Sequence, residues 1–191
     1  MENNINNFFV ICVVGQPGSG KDEIANYLME KKHFWHISTG NIIREEMRAR
    51  NIPTDRGNMR MFSQKMRKVN GNSYPANIAA SKIACDTVIS GPRNVAEVDV
   101  FKNKFGKNFI LVAVDAPIEV RYNRIKNGRG RTGDSISFDE FKAQEEAECD
   151  SGTHELKKLL SMANYTIDNS QNEQKLFYEM DCILKNNNIR C

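Results

Sequence analysis

The sequence predicts an α/β fold in which a five-stranded, mainly parallel sheet is flanked by helices in three layers. Three observations carry this expectation. The apolar runs FFVICVV (8–14) and FILVAV (109–114) are continuous rather than alternating, as strands covered on both faces require. Segments with an i, i+3, i+4 apolar repeat separate such runs, and alternation of strand with helix marks parallel α/β architecture. At 191 residues the chain suits one domain, 1–191, that buries a core without a disulfide or metal staple.

Taken in order, strands are expected at Phe8–Val14, Phe34–Ser38, Asp86–Ser90, Phe109–Asp115 and Tyr165–Asp168. Ile24, Tyr27 and Leu28 form a helical stripe after the first strand. Val95, Val98, Phe101 and Phe105 form another, closed by Gly106 as a C-cap. Further helices are expected over Asn41–Arg50, Arg56–Val69, Ala76–Cys85, Ile118–Lys126, Phe138–Glu148 and Gln171–Lys185. Trp35 reads as core, and Asp115 as a cap for the helix that Pro117 begins or, as the other reading, as lining the adenine site. The run GRGRTGDSIS (128–137) is glycine-rich, basic and without periodicity, so a short basic lid is expected at about 127–137.

Composition excludes several classes. The formal charge of +3 is too small an excess to imply nucleic acid or a membrane surface as partner. Five scattered cysteines make no C-x-x-C pair, and the three histidines add no metal-ligand spacing. Cys12 and Cys85 lie in apolar runs and read as small buried hydrophobes, which points to a reducing cytoplasm. The apolar run at 8–14 lacks a basic flank and is too short to span a bilayer, so neither a targeting nor a membrane segment is expected.

The chemistry is concentrated in GQPGSGKD (15–22), a match to G-x-x-x-x-G-K between an apolar strand and an amphipathic helix. Gly15, Gly18 and Gly20, with Pro17 and Ser19 between them, let the backbone wrap so that several N–H groups face phosphate oxygens. The helix beginning near Lys21 adds its positive end, and the lysine reaches the β- and γ-phosphates of ATP as a point charge. The P-loop NTPase fold and ATP use follow from this motif in this context.

One position departs from the motif. Where a Ser or Thr hydroxyl would ligate Mg²⁺ stands Asp22. The second group beside the ion is normally a carboxylate at the end of the next buried strand, and here that strand ends in Ser90. An exchange of hydroxyl and carboxylate would keep one of each beside Mg²⁺; the alternative is two independent losses in a protein that binds nucleotide poorly. A carboxylate about 4 Å from a phosphate charge would cost on the order of 4 kcal/mol at an effective dielectric of 20, so Asp22 makes ATP binding depend on the cation.

Other segments resemble a family. ISTGNIIR (37–44) looks like the acceptor segment of adenylate kinases, with Asn41 in place of their aspartate. Gly91-Pro92-Arg93 resembles their D-G-x-P-R stretch, shortened and lacking its aspartate. SGPRNVAEVDVFKNKFG, then FILVAVDAP and EVRYNRI, and later ANYTIDNS, are similar to adenylate-kinase-like and dephospho-CoA-kinase-like P-loop proteins. A lysine followed by aspartate is also similar to certain deoxynucleotide and phosphomevalonate kinases. The resemblance spans nearly the whole chain from Phe9. It implies ATP as cosubstrate with Mg²⁺, and acceptor-binding helices over about 39–85.

On that reading Ser38, Thr39, Gly40 and Arg44 line the acceptor site, and Arg93, at a strand end beside the phosphates, serves both acceptor and catalysis. Ser38 and Thr39 also read as helix N-caps. Arg121, Arg124, Arg129 and Arg131 form a basic cluster, from which Arg124 and Arg129 are assigned to charge stabilisation during transfer. Glu145, Glu146 and Glu148 read as a solvated face, and no histidine has a neighbour that suggests general-base work.

The sequence thus predicts a small-molecule kinase acting on a nucleoside monophosphate or related acceptor. Dephospho-CoA is the second acceptor, and a nucleotide-dependent switch or assembly ATPase acting on a macromolecule is the competing class.

Overall fold

The computed structural model describes residues 8–128, 137–149 and 155–189. Five strands, β1 (Val10–Val14), β2 (Trp35–Ser38), β3 (Thr87–Ser90), β4 (Phe109–Asp115) and β5 (Tyr165–Asp168), form one parallel sheet in the order β2-β3-β1-β4-β5. The helices are α1 (Lys21–Lys32), α2 (Thr39–Ala49), α3 (Arg56–Asn70), α4 (Tyr74–Lys82), α5 (Val95–Phe105), α6 (Ile118–Gly128), α7 (Phe138–Cys149), α8 (Leu156–Ser161) and α9 (Glu173–Asn186). The expected architecture is the observed one.

The strand β1 shows why continuous apolar runs were needed. It lies at the centre of the sheet and is buried throughout. Val10, Cys12 and Val14 pack with Ile42, Ala76, Ala79, Val98 and Phe101 on one face. Ile11 and Val13 pack with Ile24, Leu28, Leu176 and Met180 on the other. A period of two thus feeds two apolar cores, one under α2, α4 and α5 and the other under α1 and α9. Burial pushes the Cys12 thiol far up, so this cysteine is an inert core residue.

Helix α3 covers neither face. Its Phe62 joins Ile43 and Met47 of α2 in a small separate cluster, with Met59 and Met66 packed against it. Of the helices of 39–85, α2 and α4 thus cover one face of the sheet and α3 packs outside them on α2.

Several expectations are corrected. Trp35 is 44% exposed, because it opens β2, an edge strand with one flank uncovered. Cys85 is exposed, because α4 spans Tyr74–Lys82 and the residue falls in the turn before β3. Asp115 does not cap the first turn of α6; its Oδ1 accepts from the amide of Ala116, ahead of that helix, at 2.9 Å. Helix α8 was not foreseen. The lid expected at 127–137, with Arg129 and Arg131, falls largely on 129–136, outside the described residues. No helix among the described residues is long and apolar enough to cross a membrane.

Candidate functional site

The strand pairings bring the C-terminal ends of the sheet into line. Val13 is in register with Ser90, Ser38 with Ser90, and Val14 with Ala113. Ligands of open parallel sheets bind along this edge, and every candidate residue among those described is on it or on the helix just beyond it.

Residues 15–20 connect β1 to α1. Gly18 and Gly20 have φ of +76° and +98°, which L side chains rarely adopt. A Cβ on Gly15 would collide with Ser19 Oγ and the Val114 carbonyl, and one on Gly20 with the Asn169 amide. Helix α1 starts with no side-chain cap, leaving its first amides to the loop. The hydroxyl of Ser19 is fully buried and, among the described residues, the one buried side-chain polar atom without a hydrogen-bond partner. Uncapped amides, close backbone approach, an orphaned hydroxyl and a lysine fit the phosphates of a nucleotide.

The loop is tied down from behind. Arg124, half-buried on α6, donates to the Gly18 carbonyl at 3.4 Å and to the Asn169 carbonyl at 2.8 Å. Asn169, after β5, donates from Nδ2 to the Ser19 carbonyl at 2.8 Å. Arg121 donates to the Pro17 carbonyl at 3.4 Å and the Ala116 carbonyl at 2.8 Å, and is ion-paired with Glu145 of α7. These donors satisfy carbonyls of the loop, and within it the Ser19 amide donates to the Gln16 carbonyl at 3.1 Å. One expectation changes accordingly. Arg121 is buried in a clamp, and Glu145 is its partner rather than part of a solvated face.

Lys21 Nζ lies 3.3 Å from the Asp22 carboxylate, which is itself largely exposed. At the end of β3, Ser90 Oγ and Nε2 of His36 are 2.8 Å apart. Burial pushes the His36 imidazole below its ordinary pKa, and the Asp22 carboxylate pulls the other way, so Asp22 acts on the ring that holds Ser90. Either group donates in this contact, according to the imidazole tautomer, and the contact fixes where the Ser90 oxygen stands. A carboxylate and a hydroxyl are hard oxygen ligands of the kind Mg²⁺ takes alongside nucleotide phosphates. No cluster of three or more His, Cys, Asp or Glu suited to a metal exists among the described residues, so phosphates would have to complete the shell. His36 was missed because its partner is 54 residues away.

The acceptor candidates form one floor. Ser38 ends β2 and caps α2, its Oγ accepting from the Asn41 amide at 3.4 Å. A Cβ on Gly40 would lie 3.6 Å from both Ser38 Oγ and Arg44 Nη1, so the guanidinium folds back over the start of its helix, where Asn41 Oδ1 accepts from it at 2.6 Å. Thr39 Oγ1 donates to the Ser90 carbonyl at 3.4 Å, and a Cβ on Gly91, where φ is +91°, would lie 2.9 Å from Thr39 Oγ1. Gly91-Pro92-Arg93 thus runs directly against Thr39-Gly40, and the Arg93 side chain stands exposed.

With that geometry in hand, comparison with known proteins places the chain. Residues 14–142 match the family described as AAA domain. A UPF0200 protein of Methanosarcina acetivorans is 32% identical over 181 residues, covering 93% of this chain and 94% of its own length. One from Thermococcus sibiricus is 33% identical over 167 residues, covering 84% and 85%.

The chain belongs to the UPF0200 family.

The solved structures it resembles extend the fold of this UPF0200 protein to kinases. Shikimate kinase from Bacteroides thetaiotaomicron superposes with a TM-score of 0.63 at 12% identity, covering 93% of this chain and 97% of its own. A sugar kinase from Janibacter superposes at 0.55 and 15%, covering 96% and 99%. At these identities the likeness establishes the P-loop kinase fold.

Proposed function

We propose that the protein transfers the γ-phosphoryl group of ATP to the phosphate of a nucleoside monophosphate or a related small phosphorylated acceptor. The observation that supports this reading is the shared floor of Ser38-Thr39-Gly40 and Gly91-Pro92-Arg93 at the strand ends, with Arg44 folded over Gly40 and Arg93 on the adjoining loop. Arginine's planar fork matches phosphate oxygens, and two such residues beside one cleft suit a second phosphate group.

The division of labour follows from position. Loop amides of 15–20 and Lys21 hold the nucleotide phosphates. Asp22 and Ser90 would hold Mg²⁺, which when bound neutralises charge on the transferring group. Arg44 and Arg93 orient the acceptor oxygen in line. Arg124 keeps the loop in shape through Gly18 and Asn169. An ionised phosphate acceptor needs no general base, so rate enhancement comes from positioning and electrostatics.

A second reading is favoured by the His36–Ser90 contact: transfer to an alcohol, as in the shikimate and sugar kinases of similar fold or with dephospho-CoA, the imidazole taking the proton.

The test is ADP release from ATP and Mg²⁺ with ribo- and deoxynucleoside monophosphates, dephospho-CoA, shikimate and gluconate, with Lys21→Ala as control. Stimulation by a monophosphate, lost in the variant, supports the first reading. Stimulation by the alcohols alone supports the second. A flat panel with intact ATP binding points to a nucleotide-dependent switch.

A further inference from the structure

The deepest charged group among the described residues belongs to no step above. Glu97, in the first turn of α5, is fully buried. Its Oε1 accepts from Arg67 Nε at 3.1 Å, from Arg67 Nη2 at 2.6 Å and from Asn94 Nδ2 at 3.0 Å. Its Oε2 accepts from the backbone amide of Arg93 at 3.3 Å. Arg67 is itself 7% exposed and comes from α3, whose Met59, Phe62 and Met66 pack with Ile43 and Met47 of α2.

The same loop is held from its other side. The Glu155 amide donates to the Arg93 carbonyl at 2.8 Å, and the Glu155 carboxylate accepts from the Val95 amide at 3.0 Å. Asn94 caps α5 through the Glu97 amide at 2.9 Å, and its Nδ2 also reaches the Asn72 carbonyl in the turn after α3, at 3.3 Å. Both backbone polar groups of Arg93 are therefore fixed while its side chain stands exposed. A loop whose sole task was to join β3 to α5 would not need four separate ties.

Energetics point the same way. Burial pushes the Glu97 carboxyl up, with the Arg67 guanidinium pulling it back, which is the mark of a charge held where water would be the better solvent. A buried ion pair is a poor device for stability, since apolar residues of similar volume serve as well or better. What it supplies is a fixed direction and distance, and here it fixes α3 and Arg93 to the same carboxylate.

We propose that Glu97 is the positioning residue of the acceptor site. It sets the Arg93 backbone, and through Arg67 it locks α3 against that loop, so acceptor affinity depends on a pair that touches neither substrate. This rests on the kinase reading above.

The experiment is steady-state kinetics with the four ribonucleoside monophosphates as probes, on the wild type, Glu97→Gln and the double variant Arg67→Met/Glu97→Leu, with thermal melting of each. Glu97→Gln keeps the shape and loses the charge. The double variant restores apolar packing and is expected to melt near the wild type. Both are expected to raise the acceptor KM about 10- to 100-fold while the KM for ATP stays unchanged, the scale on which remote misplacement of a substrate-holding group acts. A folded double variant with wild-type acceptor KM, or an equal rise in both KM values, overturns the positioning role. Wild-type protein that turns over none of the four overturns the nucleoside-monophosphate reading and this role with it. That outcome is told apart because it needs no substitution.

Discussion

Ser90 closes β3 with its hydroxyl 2.8 Å from Nε2 of His36 on the neighbouring strand. On the proposed exchange, Ser90 would supply the hydroxyl and Asp22, at the head of α1, the carboxylate beside Mg²⁺.

Removing the imidazole is therefore expected to matter when the cation is present. His36→Ala should weaken ATP binding in Mg²⁺ by about 1 kcal/mol, roughly fivefold, the worth of one lost hydrogen bond. In EDTA it should change nothing. His36→Gln, which offers an amide oxygen to the same hydroxyl, should recover part of the loss. Calorimetric titration of ATP with and without Mg²⁺ checks this, and an equal loss in both conditions would count against a cation-linked role.

The clamp behind the loop predicts an asymmetry. Glu145→Ala leaves Arg121 buried without its carboxylate, at a cost of about 3–5 kcal/mol, which lowers Tm on the order of 10 °C for a chain of this length. Arg121→Met/Glu145→Leu should recover most of that Tm. ATP affinity should stay low in both, because the Pro17 carbonyl loses its donor in the double variant and Arg121 loses its anchor in the single one. Thermal melts beside ATP titrations separate the two effects.

These two arrangements also mark how far the residues could be read in sequence. The phosphate loop was legible because its physics is local: glycines at positive φ and a lysine, between a buried strand and a helix, lie within eight residues. The strands β1 and β4 were legible because parallel strands covered on both faces are continuously apolar. Partner choice was not local. Arg121 finds Glu145 across 24 residues and Arg67 finds Glu97 across 30, so a charge that reads as solvated in a helix became part of a buried tie. Trp35 misled because apolar flanks do not reveal which strand ends at the sheet's edge.

Stability should show one acid limb traceable to the Arg93 loop. The Lys158 ammonium and the Val95 amide hold the Glu155 carboxyl below its ordinary range. A carboxylate depressed by folding contributes stability that is full above the unfolded-state pKa, about 4.3, and is lost as pH falls through the lower folded value. The Tm gap between wild type and Glu155→Gln should accordingly be open at neutral pH and close on acidification below that point. A gap independent of pH would assign Glu155 a packing role alone.

The central claim is phosphoryl transfer between two bound small molecules, and its most direct measurement is the fate of the label in γ-labelled ATP. Incubated with Mg²⁺ and nucleoside monophosphates, the protein is predicted to move the label onto a nucleoside diphosphate, and Lys21→Ala is predicted not to. Label released solely as inorganic phosphate, at a rate indifferent to every acceptor, would contradict the account.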